Sequence, residues 1–352
     1  LIAQILKIGF PVIVKPRAGG GGKGMRVATT GDDLGNLLDT CRREALSAFN
    51  DAGLIVERFL ENPRHIEVQV FGDTYGNTVH FYERDCSLQR RHQKVIEEAP
   101  ARELSSHVRE GLIACALTVT KTIGYHGAGT VEFLVKDELF YFIEMNTRIQ
   151  VEHPVTEMVT GFDLVRAMII LAGGEPLSIA QKDITLRGWA VEMRINAEDP
   201  DRNFFPSLGT VNGLTWPTGP GVRVDSGLYD GYKMPPFYDS LVAKLICHQP
   251  TRAGAIDTMK RALAEFQIGP IRTTIPLHLE LLSHAQFLKG DIDTGCVQAY
   301  CRYTSRWSWR FSPTPGRSTR GSTPASLSTP AGPTPESCRS CGVLIAPPHR
   351  TT

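Results

Sequence analysis

Between positions 144 and 152 every second residue is polar: Glu144, Asn146, Arg148, Gln150 and Glu152. Successive side chains of an extended strand point to opposite faces. An extended reading therefore places two acids, two amides and a guanidinium on one face. Such a face makes a poor core but a good floor for a metal, an anion and a proton acceptor. A solvated edge strand is the competing reading. Just upstream, residues 130–135 and 140–144 read as a hairpin turning at Asp137-Glu138-Leu139. In that register Glu132 and Glu144 lie opposite each other. Like charges so placed repel, and a divalent cation between them reverses the sign. Asn146 adds an amide carbonyl, and an all-oxygen set suits magnesium or manganese. The apolar neighbours Phe133, Phe142, Ile143 and Met145 imply that the hairpin is largely buried.

A second chemical feature is the run Ala18-Gly19-Gly20-Gly21-Gly22-Lys23-Gly24-Met25, which follows a strand ending in Lys15. It fits G-x-G-x-x-G literally, but a dinucleotide fold needs a helix next. Here residues 25–28 read as a strand. It is no P-loop, because Gly24 stands after Lys23 where Ser or Thr would bind magnesium. A glycine hairpin between two strands admits two readings: a flap whose bare amides approach phosphate oxygens, or a mobile surface turn.

These residues need positioning elements. Strands are predicted at 12–15, 25–28, 54–56, 66–71 and 78–83, and helices at 32–50 and 105–123, the latter with Val108, Leu112, Cys115, Ala116 and Val119 at helical spacing. A helix over 163–172 stops at Gly173-Gly174. A composition shift at 181–188 suggests a domain edge, followed by short strands and turns to His248 and a helix over 253–266. With 352 residues, 41% hydrophobic and 21% charged, the chain is long enough for two or three globular domains. No apolar run reaches the length of a membrane span.

The net charge of +1 is unevenly spread: residues 301–352 carry seven arginines and one acid, leaving −5 on residues 1–300. A mildly acidic body excludes a nucleic-acid footprint. Cys41, Cys86, Cys115, Cys247 and Cys296 are scattered singly, as free thiols of a reducing compartment are. Cys338 and Cys341 have metal or redox spacing but lack a second pair. From about residue 303 the chain is rich in Pro, Ser and Thr without periodicity, which reads as a disordered arm or a frameshifted end.

Several long stretches in order make the chain recognisable. They are residues 12–15, the Gly19–Gly24 loop, Glu61-Asn62-Pro63-Arg64-His65-Ile66-Glu67, the segment 83–94 ending in His92-Gln93-Lys94, Glu97-Glu98-Ala99-Pro100, residues 142–157, residues 192–200 and Arg272-Thr273-Thr274-Ile275-Pro276. Over residues 1–300 the chain resembles the biotin carboxylase component of biotin-dependent carboxylases, an ATP-grasp family. The resemblance implies an α/β fold: a partial lid over 1–58, an ATP-grasp core over 59–180 and a biotin carboxylase C-terminal domain over 181–302, with the tail at 303–352.

By the same resemblance Lys15 would hold nucleotide phosphates and Gly21 and Gly22 would supply lid amides. Glu57, Arg58 and Leu60 lie on the adenine strand, and His65, Gln89 and His92 match nucleotide contacts. Glu132, Glu144 and Asn146 match the metal ligands. Lys94, Arg148, Gln150 and the Val151 backbone resemble a bicarbonate pocket, Glu152 the general base, and Arg194 the arginine that stabilises the biotin enolate. The implied substrates and cofactors are ATP, Mg2+ (or Mn2+), bicarbonate and biotin on a carrier protein. The implied partners are that biotin carboxyl carrier protein, carboxyltransferase subunits and a second copy in a homodimer, with neither nucleic acid nor membrane. The implied location is the cytoplasm, or the mitochondrion in a eukaryote. The segments Phe237-Tyr238-Asp239-Ser240 and 272–276 are similar to bacterial acetyl-CoA carboxylase subunits; propionyl-CoA, methylcrotonyl-CoA and pyruvate carboxylases share the module. Measured against the family, the chain begins inside the lid, so a fragment of a longer carboxylase, inactive by itself, is the other expectation.

Overall fold

The computed structural model describes residues 2–19 and 24–300. Gly21 and Gly22, the Cys338/Cys341 pair and the 303–352 tail lie outside the described residues. The first elements are α1 (Ile2–Ile8), β1 (Val12–Pro16), β2 (Arg26–Ala28), α2 (Leu34–Phe49) and β3 (Leu54–Arg58). β1 is the centre of a small antiparallel sheet in the order β2-β1-β3. Val12 and Val14 on β1 pack with Leu34, Leu38 and Cys41 of α2, the apolar stripe of an amphipathic helix.

The chain then forms β4 (Arg64–Gly72), β5 (Thr78–Arg90), β6 (Gln93–Ala99), α3 (Ser106–Thr122), β7 (Gly127–Lys136), β8 (Leu139–Asn146), α4 (His153–Thr160) and α5 (Leu164–Ala172). The last part comprises β9 (Trp189–Asn196), β10 (Glu198–Asp199), β11 (Phe205–Pro206), β12 (Asn212–Thr215), β13 (Val222–Ser226), β14 (Leu241–Gln249), α6 (Arg252–Glu265), β15 (Gln267–Gly269), α7 (Ile275–Ser283), α8 (Ala285–Lys289) and α9 (Cys296–Tyr300). Eight strands make one antiparallel sheet, ordered β13-β14-β9-β6-β5-β4-β7-β8. Strands from either side of residue 181 are thus neighbours in one ladder, joined by β6 and β9.

The central strands have two chemically distinct faces. On β4, Ile66, Val68 and Val70 pack with Val131, Phe133 and Val135 of β7 and with Val108, Leu112 and Ala116 of α3. Helix α3 begins at the Ser105 cap, whose side chain accepts from the Val108 amide. By alternation the opposite face carries Glu67 and Gln69 of β4 and Thr130 and Glu132 of β7. On β9, Val191, Met193 and Ile195 join the core with Met259 and Leu263 of α6, and Glu192 and Arg194 take the other face. Helix α4 lies on that second face, its Val155 and Val159 against Ala99, Ala190 and Ile246.

Several sequence expectations need correction. The hairpin between β7 and β8 turns on two residues, with Lys136 opposite Leu139. Asp137 and Glu138 both have φ above +50°, as a primed two-residue turn requires. Glu132 still faces Glu144, because the ladder shifts between Glu132 and Phe133 and leaves Ile143 as a bulge residue. The hairpin is not largely buried on its outer strand: β8 is the sheet edge, and Phe142 and Glu144 are exposed. Nor does the extended run continue to residue 152. β8 ends at Asn146, and Glu152 stands, without a side-chain cap, at the N-terminal boundary of α4, a helix the sequence pattern did not show. β5 runs on to Arg90, beyond the expected 83, and β6 follows it as an unforeseen hairpin partner. The region after Trp189 holds two long strands, β9 and β14, where only short ones were expected. No helix among the described residues is long and apolar enough to cross a membrane.

At the end of β4 the backbone passes close to a neighbouring loop. A Cβ on Gly72 would lie 2.1 Å from the Tyr125 carbonyl oxygen, so Gly72→Ala forces the backbone apart. It should destabilise the protein by about 1–3 kcal/mol, read as a lower urea midpoint at unchanged slope.

Candidate active site

The polar face carries a row of charged residues in register across four strands: Glu144 opposite Glu132, Glu132 opposite Glu67, and Glu67 opposite Arg84. Arg84 has no solvent exposure. Its Nε donates to Glu67 (2.5 Å), one terminal nitrogen to Gln69 (2.7 Å) and Thr156 (3.0 Å), and the other to Gln150 (3.2 Å) and Thr130 (3.3 Å). All five N–H donors of the guanidinium are thereby used. Burial works against its charge, but Glu67 and Glu152 raise its pKa.

Lys94 enters the row from the other side. The β5–β6 hairpin turns at Arg91 and His92, both with positive φ, so Arg90 faces Gln93 and Gln89 faces Lys94. The Lys94 ammonium donates to Glu67 (2.5 Å), Glu132 (2.9 Å) and Glu152 (2.5 Å). Burial disfavours this ammonium, yet the carboxylates around it push its pKa well above the usual value. Burial alone would raise the Glu67 carboxyl; Arg84 and Lys94 outweigh it and hold the group down at about 2. Glu132 is likewise held below the carboxylate range, against its burial, by the close His65 ring and the Lys94 charge.

Glu132 is the hub of the remaining contacts. Gln150 donates to it at 2.7 Å and Asn146 at 3.1 Å, and His65 Nε2 lies 3.1 Å away. The Gln89 amide nitrogen lies 3.0 Å from His65 Nδ1, an arrangement that makes Nδ1 the acceptor and Nε2 the protonated nitrogen facing Glu132. Glu152 bridges Lys94 and Arg194, taking a 2.9 Å bond from an Arg194 terminal nitrogen. Arg194 Nε donates to Glu97 at 2.6 Å. Arg148 is exposed and folds back on Asn146 and the Ile149 carbonyl. The Val151 carbonyl accepts from Lys244 at 3.0 Å.

The structure therefore brings Lys94, Glu132, Asn146, Gln150, Glu152, Arg194, His65 and Gln89 into one connected network, with Glu144 and Arg148 at its solvent side. Lys15 lies on the small sheet and pairs with Glu57 (2.5 Å). Arg58 ends the same strand as Glu57, Leu60 follows it, and His92 sits in the exposed hairpin turn. Four buried charged residues were missed: Glu67, Arg84, Glu97 and Glu192. The signal for Glu67 was present, since His65, Glu67 and Gln69 alternate with Ile66, Val68 and Val70.

The donor set on the β7–β8 edge fits a hard divalent cation. Glu132 and Glu144 are ladder partners, and the Asn146 amide nitrogen donates to both, at 3.1 and 3.4 Å. A cation there would take the carboxylate oxygens, and the Asn146 oxygen once the amide turns from Arg148. Next to it, Lys94, Arg148 and Arg194 can receive an anion, and Glu152 can take a proton.

Known proteins share much of this sequence and fold. Residues 2–180 match the family model "Carbamoyl-phosphate synthase L chain, ATP binding domain", and residues 192–299 match "Biotin carboxylase C-terminal domain". The chain belongs to the biotin carboxylase family. It is 52% identical over 296 residues to biotin carboxylase 1 of Bacillus subtilis, covering 84% of this chain and 66% of that protein. It is 50% identical over 295 residues to a pyruvate carboxylase subunit of Methanothermobacter thermautotrophicus, covering 84% and 60%. The biotin carboxylase domain dimer of Hydrogenobacter thermophilus 2-oxoglutarate carboxylase, solved with MgADP, ADP and bicarbonate, superposes with a TM-score of 0.82 at 44% identity, over 85% of this chain and 66% of that one. A Campylobacter jejuni biotin carboxylase in complex with β,γ-ATP gives 0.80 at 46%, over 86% and 66%. The chain thus spans about two thirds of the length of the curated relatives it matches.

Removing one partner of a buried ion pair leaves the other charge stranded. Arg84→Met should therefore cost about 3–5 kcal/mol of unfolding free energy. Acid should act on the same cluster. Glu67 falls from an ordinary 4.5 to about 2 on folding, so its contribution is fully present above pH 4.5 and is lost as pH falls towards 2. Across that window wild type should lose stability more steeply than Glu67→Gln in denaturant titrations.

Proposed function

We propose that the site carboxylates biotin on a carrier protein, using ATP and bicarbonate and passing through carboxyphosphate, as a ligase forming a carbon–nitrogen bond. The observation that carries this reading is Glu152 held between Lys94 and Arg194. One carboxylate joins the anion-receiving end of the cluster to the arginine at its other end.

In this reading bicarbonate lies against Lys94, Arg148, Gln150 and the Val151 backbone, with the planar guanidinium suited to a bidentate grip. Glu152 accepts the bicarbonate proton, and the freed oxygen attacks the terminal phosphorus of ATP, releasing ADP. A cation held by Glu132, Glu144 and Asn146 would neutralise phosphate charge as the bond is transferred. Carboxyphosphate breaks down to carbon dioxide and phosphate, and the phosphate takes the proton from N1 of biotin. Arg194 then stabilises the ureido oxygen as it becomes negative, and N1 attacks the carbon dioxide to form the carbon–nitrogen bond. Lys15, Glu57, Arg58, Leu60, His65, Gln89 and His92, with Gly21 and Gly22, are assigned to the nucleotide. His65 links the two groups, because it touches both Gln89 and Glu132.

For the intact protein we assign the first half-reaction of an acyl-CoA carboxylase, with acetyl-CoA as the acceptor of the second half and a homodimer working with carrier and carboxyltransferase subunits. The 237–240 and 272–276 segments support this choice. A pyruvate carboxylase role is the second reading, favoured by the Methanothermobacter relative. Transfer of labelled carboxyl from the carrier to acetyl-CoA or to pyruvate separates them.

Glu144 is exposed on an edge strand, so its loss should spare the fold. In the intact protein Glu144→Gln should lower biotin- and bicarbonate-dependent ATP hydrolysis by about tenfold or more, with unchanged melting. Wild-type turnover across a magnesium titration would overturn the metal assignment.

A further inference from the structure

Beneath Arg194 lie two carboxylates for which the proposed reaction has no use. Glu97 on β6 and Glu192 on β9 are direct partners in the ladder, and both are fully buried. Like charges opposite each other in a sheet repel, and among the described residues no cation touches both acids. Among the described residues neither oxygen of Glu192 has a hydrogen-bond partner, and neither does Oε2 of Glu97. Three unpartnered carboxylate oxygens on two fully buried, facing acids are costly unless a proton lies among them.

We infer that Glu97 and Glu192 hold one proton between them, and that Glu97 is the positioning residue that keeps Arg194 in place when Glu152 has been neutralised. The inference rests on the assignment of Glu152 as base and Arg194 as biotin-facing arginine. In the resting arrangement Arg194 is held from two sides, by Glu97 at Nε and by Glu152 at a terminal nitrogen. Once Glu152 takes the bicarbonate proton, its hold as an anion is lost at the moment the arginine is needed. Glu97 remains charged, because the shared proton sits towards Glu192, whose oxygens have no cation in contact. The groups facing the pair are Arg194 on β9, Lys244 on β14, Lys94 on β6 and Glu152 at the start of α4, with His153 of α4 beside Lys244. Burial first, and then the neighbouring Glu97, raise the Glu192 carboxyl well above its usual range.

Glu192→Gln mimics the protonated carboxyl. A carboxyl with a raised folded pKa stabilises fully below its unfolded value of about 4.5 and loses that contribution as pH rises. Wild type should therefore lose melting temperature relative to Glu192→Gln, by several degrees, between pH 5 and pH 9. Parallel melting curves would overturn the shared proton. For the positioning role, Glu97→Gln and Glu97→Asp are made in the intact protein. Phenylglyoxal labelling of Arg194, followed by mass spectrometry, should be several-fold faster in Glu97→Gln and close to wild type in Glu97→Asp. The KM for biotin should rise about tenfold in Glu97→Gln, one lost charged hydrogen bond, with the KM for ATP unchanged. A folded Glu97→Gln with wild-type labelling overturns the positioning role. A wild type without biotin-dependent turnover sinks the reaction assignment instead, and leaves the melting and labelling results to decide the structural claim.

Discussion

A guanidinium sealed from water sits where β4, β5, β7 and the segment leading into α4 meet, and the site is arranged around it. Arg84 cannot shed its charge, so every donor must find an acceptor. Glu67 and Gln69 bind it from β4, Thr130 from β7, Gln150 from the loop and Thr156 from α4. Those demands fix where Gln150 points, and Gln150 in turn holds Glu132. Glu67, committed to Arg84 through one oxygen, offers the other to Lys94. Lys94 then gathers Glu132 and Glu152. The exposed groups, Glu144 and Arg148, are left with few bonds and stand ready at the rim.

This order of dependence separates a rigid floor from an adaptable edge. Groups under the edge are locked by low-dielectric ion pairs, in which attraction is strong and rearrangement costly. Glu144 on β8 and Arg148 just beyond it face solvent at the end of the sheet and can shift to meet a cation or anion, while Phe140 and Met145 of the same strand stay on the core. The bulge at Ile143 serves the same division. It lets Phe142 pair with Phe133 while Glu144 pairs with Glu132, so the apolar and charged positions of two strands with unequal spacing are both matched.

Much of the chemistry was legible in sequence. The Glu132/Glu144 pairing was reached by counting across a turn one residue too long, an error that the bulge at Ile143 offsets, and the alternation of the 144–152 run pointed to residues that the structure gathers around one cluster. It gave the wrong conformation for three of the five, Arg148, Gln150 and Glu152. Gln150 and Glu152 reach the cluster from a loop and a helix start, because Arg84 and Lys94 draw them in from distant strands, and pairings 66 and 58 residues apart leave no local pattern. The same holds for Glu97 and Glu192. Each looks like an ordinary strand acid until the ladder sets them face to face. α4 is only eight residues long, so the pairs Pro154-Val155 and Met158-Val159 gave helical periodicity too few turns to show.

The ladder between β6 and β9 has one more consequence. The two segments recognised by separate family models are stitched by main-chain hydrogen bonds and share Arg194, Glu97 and Glu152 across the seam. They are not interchangeable cassettes. A recombination that replaced one segment with a distant homologue would have to preserve strand register and the polarity of the joining face together. Evolutionary exchange at this seam is therefore constrained in the way a zip is constrained: both halves must change tooth for tooth, or neither closes.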